Sequence, residues 1–147
     1  MTDKTYLEYE AFTHAVRALV RDLSADDITI DAVVSIDRGG LPLGVELSHA
    51  LNVPHGVLSF SSYDDEHDRD TLRTNGALVS HLPRGHYLLV DDVCDSGITM
   101  TAAVALLEER ATDVTTAVWH VKPTSTFDPD YAIEETDAWV VYPWETN

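Results

Sequence analysis

The chain has 147 residues and a formal net charge of −17, because 26 acidic side chains face only 9 lysines and arginines. This excess of carboxylates repels nucleic acids and anionic membrane surfaces, so we expect neither as a partner. Hydrophobic residues make up 44% of the sequence, and this content with regular spacing excludes a disordered chain.

The spacing of apolar residues predicts helices and strands in alternation. The predicted helices cover residues 7–23, 43–51 and 99–110. The predicted strands cover residues 30–36, 57–60, 77–82, 87–90, 114–121 and 139–142. Such alternation is typical of the α/β class, in which helices cover both faces of a mostly parallel sheet. Ligands of these folds bind at the carboxyl ends of the strands.

The clearest chemical signal is the segment LLVDDVCDSGIT at residues 88–99. Its apolar start predicts a buried strand, and its end predicts the turn that opens a helix. Backbone N–H groups at such a turn, with the positive end of the helix dipole behind them, suit a phosphate. The carboxylates of Asp91 and Asp92 suit hydroxyl groups or a divalent cation. Together they indicate a site for a phosphorylated sugar, whereas the alternative is an ordinary acidic surface turn.

This segment resembles the phosphoribosyl pyrophosphate (PRPP) motif of type I phosphoribosyltransferases, in which a hydrophobic strand precedes two acidic residues, two spacers, Asp, Ser or Thr, Gly, any residue and Thr. All the defining positions are filled here. The resemblance implies that Asp91 and Asp92 hold the ribose hydroxyls and, at least through Asp92, Mg²⁺. It implies a 5′-phosphate cradle formed by Asp95, Ser96, Gly97, Ile98 and Thr99. Asp95 is also the candidate general base near the purine N7. Ile98 replaces a frequent glycine, and its N–H is expected to remain available.

A second candidate site is the turn DRGGLP at residues 37–42, which follows an early predicted strand. Paired glycines let backbone approach a ligand closely, and the Arg38 guanidinium is a planar fork for phosphate oxygens. Type I phosphoribosyltransferases bind pyrophosphate with such a loop, which implies this role for Arg38, Gly39 and Gly40. It also implies a non-proline cis peptide bond just before Arg38. Asp37 stands where relatives commonly have Ser, and its carboxylate either points away or meets the magnesium.

The polar segment 61–75 is long and poorly patterned, which is typical of a mobile surface loop. Type I phosphoribosyltransferases close a flexible loop, often carrying Ser-Tyr, over the reaction to exclude water. The resemblance therefore implies that Ser62, Tyr63 and Arg69 contact the pyrophosphate. For His67, an exposed position without a role is the simpler interpretation.

Residues of the last third are candidates for recognising a base. Lys122 is one of two lysines and follows a predicted buried strand, where its ammonium can donate to a carbonyl oxygen such as O6 of a purine. The other lysine, Lys4, lies in a terminus that we expect to be frayed. Trp139 belongs to an aromatic segment that offers a flat platform for a base. The alternative is that the late tryptophans, above all Trp144, pack in the core.

The order of Ser-Ser-Tyr-Asp at 61–64, a lysine before proline, and a late tryptophan before Pro-Trp is similar to that of bacterial xanthine-guanine phosphoribosyltransferases. This resemblance covers nearly the whole chain. It implies that Lys122 contacts O6, that Trp139 stacks on the purine and that the backbone near Val140 meets its pyrimidine edge. The implied reaction joins the phosphoribosyl group of PRPP to N9 of a 6-oxopurine, with Mg²⁺ as cofactor.

Two alternatives fit the same fold. A PRPP-binding regulator would need a basic face or a DNA-binding module, and this length and charge offer neither. A phosphoribosyltransferase for another nucleobase is the second alternative. Lys122 argues against adenine, whose 6-amino group is itself a donor, and a pyrimidine gives less reason for a tryptophan platform.

We expect a single domain over residues 1–147, with a base-binding hood formed mainly by about 122–147, and the family implies a homo-oligomer, either dimer or tetramer. The single cysteine, Cys94, excludes an internal disulfide framework. No signal peptide or membrane-spanning run is found, so a cytoplasmic location is expected. An acidic, lysine-poor surface over a well-patterned core is typical of adaptation to high salt, which favours a halophilic source.

Overall fold

A computed structural model describes residues 3–65 and 68–145, and within 62–71 it describes only backbone. The strands are β1 (Lys4–Tyr6), β2 (Ala32–Ile36), β3 (His55–Asp65), β4 (Asp68–Leu78), β5 (His86–Cys94), β6 (Asp113–Val121), β7 (Tyr131–Glu135) and β8 (Trp139–Val141). The helices are α1 (Tyr9–Ala25), α2 (Leu41–Leu51) and α3 (Ile98–Glu108), followed near the end by a 3₁₀ turn, Pro143–Glu145.

Six strands form the main sheet, in the order β4-β3-β2-β5-β6-β7. All neighbouring pairs are parallel except β3 and β4, which form an antiparallel hairpin at one edge. Strands β1 and β8 form a separate two-stranded parallel sheet. The mostly parallel α/β fold predicted from the sequence is therefore confirmed.

The two faces of the sheet carry separate cores. Val33 of β2 packs in a cluster with apolar side chains of α1 and α2, whereas the next residue, Val34, packs with those of α3. Successive side chains of a strand point to opposite faces, so a strand covered on both faces has a continuous apolar sequence. Among the described helices, none is long and apolar enough to cross a bilayer.

The predicted loop over residues 61–75 is wrong, because this segment forms most of the β3–β4 hairpin. Ser61 pairs with Arg73, and its hydroxyl donates to Asn75 Oδ1 at 3.0 Å. The predicted strand over 77–82 ends at Leu78 as the last part of β4. A hairpin at the edge of a sheet needs less apolar surface than a central strand does. Its sequence can therefore be polar, and strands of such a sequence cannot be predicted from hydrophobic periodicity.

The frayed terminus expected around Lys4 is also wrong. Lys4, Thr5 and Tyr6 pair with Trp139, Val140 and Val141 as a parallel ladder. Strand β7 is a second element that the sequence analysis missed. Both strands are too short to show a local periodicity. In addition, β1 pairs with β8, which lies far away in the sequence.

Candidate functional site

The carboxyl ends of β2 and β5 open into a cavity of about 680 Å³. Its lining includes residues of both predicted phosphate-site motifs: Asp37, Arg38, Gly39, Asp91, Asp92 and Thr99. Because β2 and β5 are parallel neighbours, their carboxyl ends meet at the same edge of the sheet. The fold therefore joins two motifs that lie far apart in the sequence.

Asp91 and Asp92 belong to β5 itself, since this strand continues to Cys94 instead of ending at residue 90. Asp91 Oδ1 accepts from the Asp92 N–H at 2.8 Å, and Asp92 Oδ1 accepts from the Val93 N–H at 2.7 Å. Burial raises the pKa of Asp91 well above its ordinary value, and the negative charge of Asp92 raises it further. Burial likewise raises the pKa of Asp92. Hydroxyl donors or a cation would therefore stabilise the ionised pair.

The loop after β2 packs directly on the acidic pair. The peptide bond between Asp37 and Arg38 is cis, as the resemblance implies. A Cβ on Gly39 would lie 2.3 Å from Asp92 Oδ2, and a Cβ on Gly40 would lie 2.6 Å from Val90 O. A side chain at Gly40 would therefore collide with backbone, whereas one at Gly39 would require the Asp92 carboxylate to move. Asp37 lines the cavity, and its charge contributes to the raised pKa of Asp91.

A second, smaller cavity of about 90 Å³ lies at the start of α3. Its lining includes Asp95, Ser96, Gly97 and Thr99 of the predicted phosphate cradle, but not Ile98. Gly97 has φ 93°, and a Cβ there would lie 2.7 Å from Phe127 N, so both conformation and space favour glycine.

Ile98 differs from the expectation. Its side chain is 43% exposed, and its N–H donates to Ser96 Oγ at 3.3 Å. The expectation that this N–H remains available is therefore wrong for the structure as it stands, because the Ser96 hydroxyl folds back onto it. The bulky side chain is accommodated by facing solvent.

The candidate base-binding residues form a separate group beside the cradle. The backbone N–H of Lys122 donates to Cys94 O at 3.0 Å, and its Nζ donates to Ala138 O at 2.5 Å. Trp139 is the residue after Ala138 and is 60% exposed. Val140 packs at the edge of the core. The described lining of the larger cavity includes none of Lys122, Trp139 and Val140.

Two residues that the sequence analysis did not place at the site, Trp144 and Glu145, line the larger cavity. Trp144 is only partly buried, and its ring stacks on Tyr142 with centroids 5.1 Å apart. It therefore packs on the core and faces the cavity at once. Its Nε1 is buried and has no hydrogen-bond partner among the described residues. No local pattern in the sequence links these positions to the acidic pair.

The remaining predicted contacts belong to the hairpin. The structure describes the backbone of Ser62, Tyr63 and Arg69 as part of β3 and β4, and their side chains lie outside what it describes. His67 lies outside the described residues altogether. Their roles stay predictions.

Comparison with known proteins gives one family. Residues 3–147 match the family model described as the phosphoribosyl transferase domain. A xanthine-guanine phosphoribosyltransferase of Idiomarina loihiensis is 27% identical over 97% of this chain and 87% of its own. An adenine phosphoribosyltransferase of Arabidopsis thaliana is 27% identical over 74% of this chain and 60% of its own. The crystal structure of a purine phosphoribosyltransferase from Pyrococcus horikoshii superposes with a TM-score of 0.89 at 28% identity, covering 99% of this chain and 95% of that one.

Proposed function

This chain belongs to the phosphoribosyltransferase family, and on that premise we propose that it is a purine-salvage enzyme that transfers the phosphoribosyl group of PRPP to N9 of a 6-oxopurine. The products are the nucleoside 5′-monophosphate and pyrophosphate. The observation that carries the proposal is the shared cavity at the ends of β2 and β5, which unites the Arg38 loop with Asp91 and Asp92.

In the proposed complex, PRPP extends across both cavities. The 5′-phosphate occupies the smaller one at the start of α3, and the ribose hydroxyls donate to the acidic pair. The pyrophosphate lies against Arg38, Gly39 and Gly40, with Ser62, Tyr63 and Arg69 of the hairpin as further proposed contacts. Negative charge develops on pyrophosphate as the bond to C1′ breaks, and the Arg38 guanidinium stabilises that charge.

The donor set of the larger cavity fits Mg²⁺ bound together with substrate. Among the described residues, no group of three or more His, Cys, Asp or Glu side chains could hold a metal ion. Mg²⁺ commonly binds through one or two carboxylates, with substrate phosphates and water completing its coordination. Asp92 and Asp91 would supply those carboxylates, and their raised pKa values mark a pair that a cation stabilises. When bound, the ion would neutralise negative charge on the leaving pyrophosphate.

Asp95 is the proposed general base. It lines the smaller cavity and is exposed to solvent, so its carboxylate can take a proton from the purine as N9 attacks C1′. The reacting ribose passes through a state that resembles an oxocarbenium ion, as in glycosyl transfer generally. In the proposed complex, the ribose bound to Asp91 and Asp92 brings this developing positive charge near their carboxylates.

Recognition of the base is assigned to Lys122 and Trp139. An ammonium group has three protons, so Lys122 can donate to O6 of a purine while it keeps its contact with Ala138 O. The exposed Trp139 ring supplies an apolar surface for stacking. Similarity to an adenine phosphoribosyltransferase makes adenine the second candidate. The donor chemistry of Lys122 favours an acceptor at position 6 over an amino group.

The proposal is tested by nucleotide formation from PRPP with xanthine, guanine, hypoxanthine, adenine, uracil and orotate in turn, with Mg²⁺ and molar KCl. We expect turnover with at least one 6-oxopurine and little with adenine. In the same assay, Asp95→Asn should lower kcat much more than it raises KM for PRPP. If no base gave turnover, the proposed enzymatic activity would be refuted. If adenine were the preferred base, the proposed role of Lys122 in recognising O6 would be refuted.

A further inference from the structure

A line of buried polar side chains lies behind the acidic pair. The Tyr142 hydroxyl lies 3.1 Å from Asp92 O, and His120 Nδ1 lies 3.0 Å from the same hydroxyl. On the other side of the imidazole, Nε2 lies 3.5 Å from Glu134 Oε2. Tyr142 and His120 are each only 2% exposed. The line connects a carboxylate at the protein surface with the backbone of the predicted PRPP motif.

The single proton of the Tyr142 hydroxyl fixes the direction of the two hydrogen bonds that this group makes. A backbone carbonyl only accepts, so the single Tyr142 hydroxyl proton is donated to Asp92 O. The hydroxyl oxygen can then accept from His120 Nδ1, which requires the ring to carry a proton at that nitrogen. The contact of Nε2 with Glu134 is a hydrogen bond as well only when the imidazole is doubly protonated. The Tyr142 hydroxyl is therefore held from two sides in one orientation.

Strand β5 is paired less regularly at Asp92 than in its central part. Strand β2 pairs with β5 only as far as Ser35 and Val90, so Asp91 and Asp92 extend beyond that ladder. The β5–β6 register pairs Asp91 with Val118 and Val93 with His120 but skips Asp92 between them. The Tyr142 hydroxyl thus donates to the backbone at the residue that the β5–β6 register skips.

Tyr142 also lies between the two groups of candidate ligand residues in the C-terminal segment. Trp139 and Val140 precede it, whereas Trp144 and Glu145, which line the larger cavity, follow it. Its ring packs on Trp119 and Trp144 with centroids 5.5 and 5.1 Å apart, and a phenylalanine would keep those contacts. The hydroxyl is therefore the part of Tyr142 that packing alone does not require.

We propose that Tyr142, oriented by His120, is a positioning residue that holds the Asp92 backbone, and with it the acidic pair, in the geometry that binds the ribose of PRPP. This inference rests on the proposed function and names the residues that set its substrate geometry. Tyr142 touches no substrate in this scheme. Its effect reaches PRPP through the position of Asp92.

The test is the dissociation constant of PRPP in the presence of Mg²⁺, measured by calorimetry for the whole protein and for Tyr142→Phe. Removal of one neutral hydrogen bond should weaken PRPP binding about 2- to 10-fold. In steady-state assays, KM for PRPP should rise by a similar factor, while KM for the purine stays within about twofold, because Lys122 and Trp139 are unchanged.

Tyr87→Phe is the matched control. Tyr87 is fully buried and belongs to β5, the strand that carries Asp92. Its hydroxyl donates to Pro83 O at 2.7 Å and accepts from Arg110 Nε at 3.1 Å. Both variants lose a buried hydroxyl with two partners, so both should lower the melting temperature. Only Tyr142→Phe should weaken the binding of PRPP. Unchanged PRPP binding in Tyr142→Phe, or equal weakening in Tyr87→Phe, would overturn the inference.

Two substitutions at His120 test the orienting role. His120→Asn keeps an N–H donor near the position of Nδ1 and should bind PRPP more tightly than His120→Leu, which has no donor. Equal binding by the two variants would contradict the role of His120. Because binding is measured without turnover, wild-type protein that binds PRPP but forms no nucleotide would refute the proposed function alone. Wild-type protein that does not bind PRPP would refute both.

Discussion

At the scale of single residues, Asp91 shows how a ligand site and a stable fold make opposite demands. Its carboxylate is desolvated by the fold and faces the charge of Asp92, and both effects raise its pKa. In the unfolded chain the same group is solvated and separated from that charge. Ionisation of Asp91 at neutral pH is therefore easier in the unfolded state, which lowers the stability of the folded protein.

We predict that Asp91→Asn raises the free energy of unfolding near pH 7, measured by urea denaturation without Mg²⁺. The folded pKa lies above the unfolded one, so stability from the protonated carboxyl is complete below the unfolded pKa. That stability is lost as the pH rises through the folded pKa. The difference between Asp91→Asn and wild type should therefore grow with rising pH and vanish in acid.

Asp130→Asn is the control for this measurement, because the Asp130 carboxylate accepts from both the N–H and the hydroxyl of Thr116. Its replacement should give no gain in stability. A pH-independent difference for Asp91→Asn would show that a cause other than ionisation dominates.

At the scale of elements, the loop after β2 is shaped by its contact with β5. We predict that Gly39→Ala weakens PRPP binding at least tenfold, because the new methyl group would collide with the Asp92 carboxylate, 2.3 Å from its Cβ. The displaced carboxylate would no longer meet the ribose. Dissociation constants measured by calorimetry check this prediction.

Gly76→Ala is the matched variant, since a Cβ at Gly76 would meet nothing within 4 Å. It should bind PRPP as the wild type does. If Gly39→Ala also bound PRPP normally, the loop would be able to move away from β5 without consequence, and the contact would have no role in binding.

The elements that could be predicted from the sequence are those whose signal is local. Strand β5 and helix α3 adjoin in the sequence, and the motif 88–99 covers the turn between them, so the strand–turn–helix order could be predicted, although β5 extends to Cys94 instead of ending at residue 90. The roles of the motif's residues stay predictions. The outer part of the β3–β4 hairpin, between the predicted strands 57–60 and 77–82, was missed because its sequence is polar and lacks apolar periodicity. Strand β1 was missed because three residues have no periodicity and their partner is β8.

The residues of the site divide in the same way. The Arg38 loop and the acidic pair have family motifs, so their meeting could be inferred from the parallel order of the strands. Tyr142 and Glu145 approach Asp92 only through the path of the C-terminal segment. That path depends on packing around Trp119 and Trp144, and no spacing of residues in the sequence predicts this packing.

At the scale of the whole molecule, the charge of −17 predicts that stability depends on salt. Like charges on the surface repel one another, and the screening length falls from about 10 Å at 0.1 M salt to about 3 Å at 1 M. We predict that the melting temperature rises between 0.1 and 2 M KCl, as a halophilic source would require. Thermal unfolding followed by circular dichroism is the measurement.

The end of α3 provides the control for the salt prediction. Glu108 and Glu109 are exposed at its carboxyl end, where negative charge also opposes the helix dipole. Glu108→Lys with Glu109→Lys should raise the melting temperature at 0.1 M KCl and reduce its further rise with salt. An equal rise in variant and wild type would point to a general effect of KCl on hydration.

The ladder between β1 and β8 has a consequence for the order in which the molecule is built. Strand β1 is synthesised before the strands of the main sheet, but its partner Trp139–Val141 is synthesised after them. The strands of β2 and β5 and helix α3 are complete well before that point. Non-local pairing of this kind forms late and, with only three residue pairs, opens early. A nascent chain thus forms the proposed sugar-phosphate site before it completes the proposed base site.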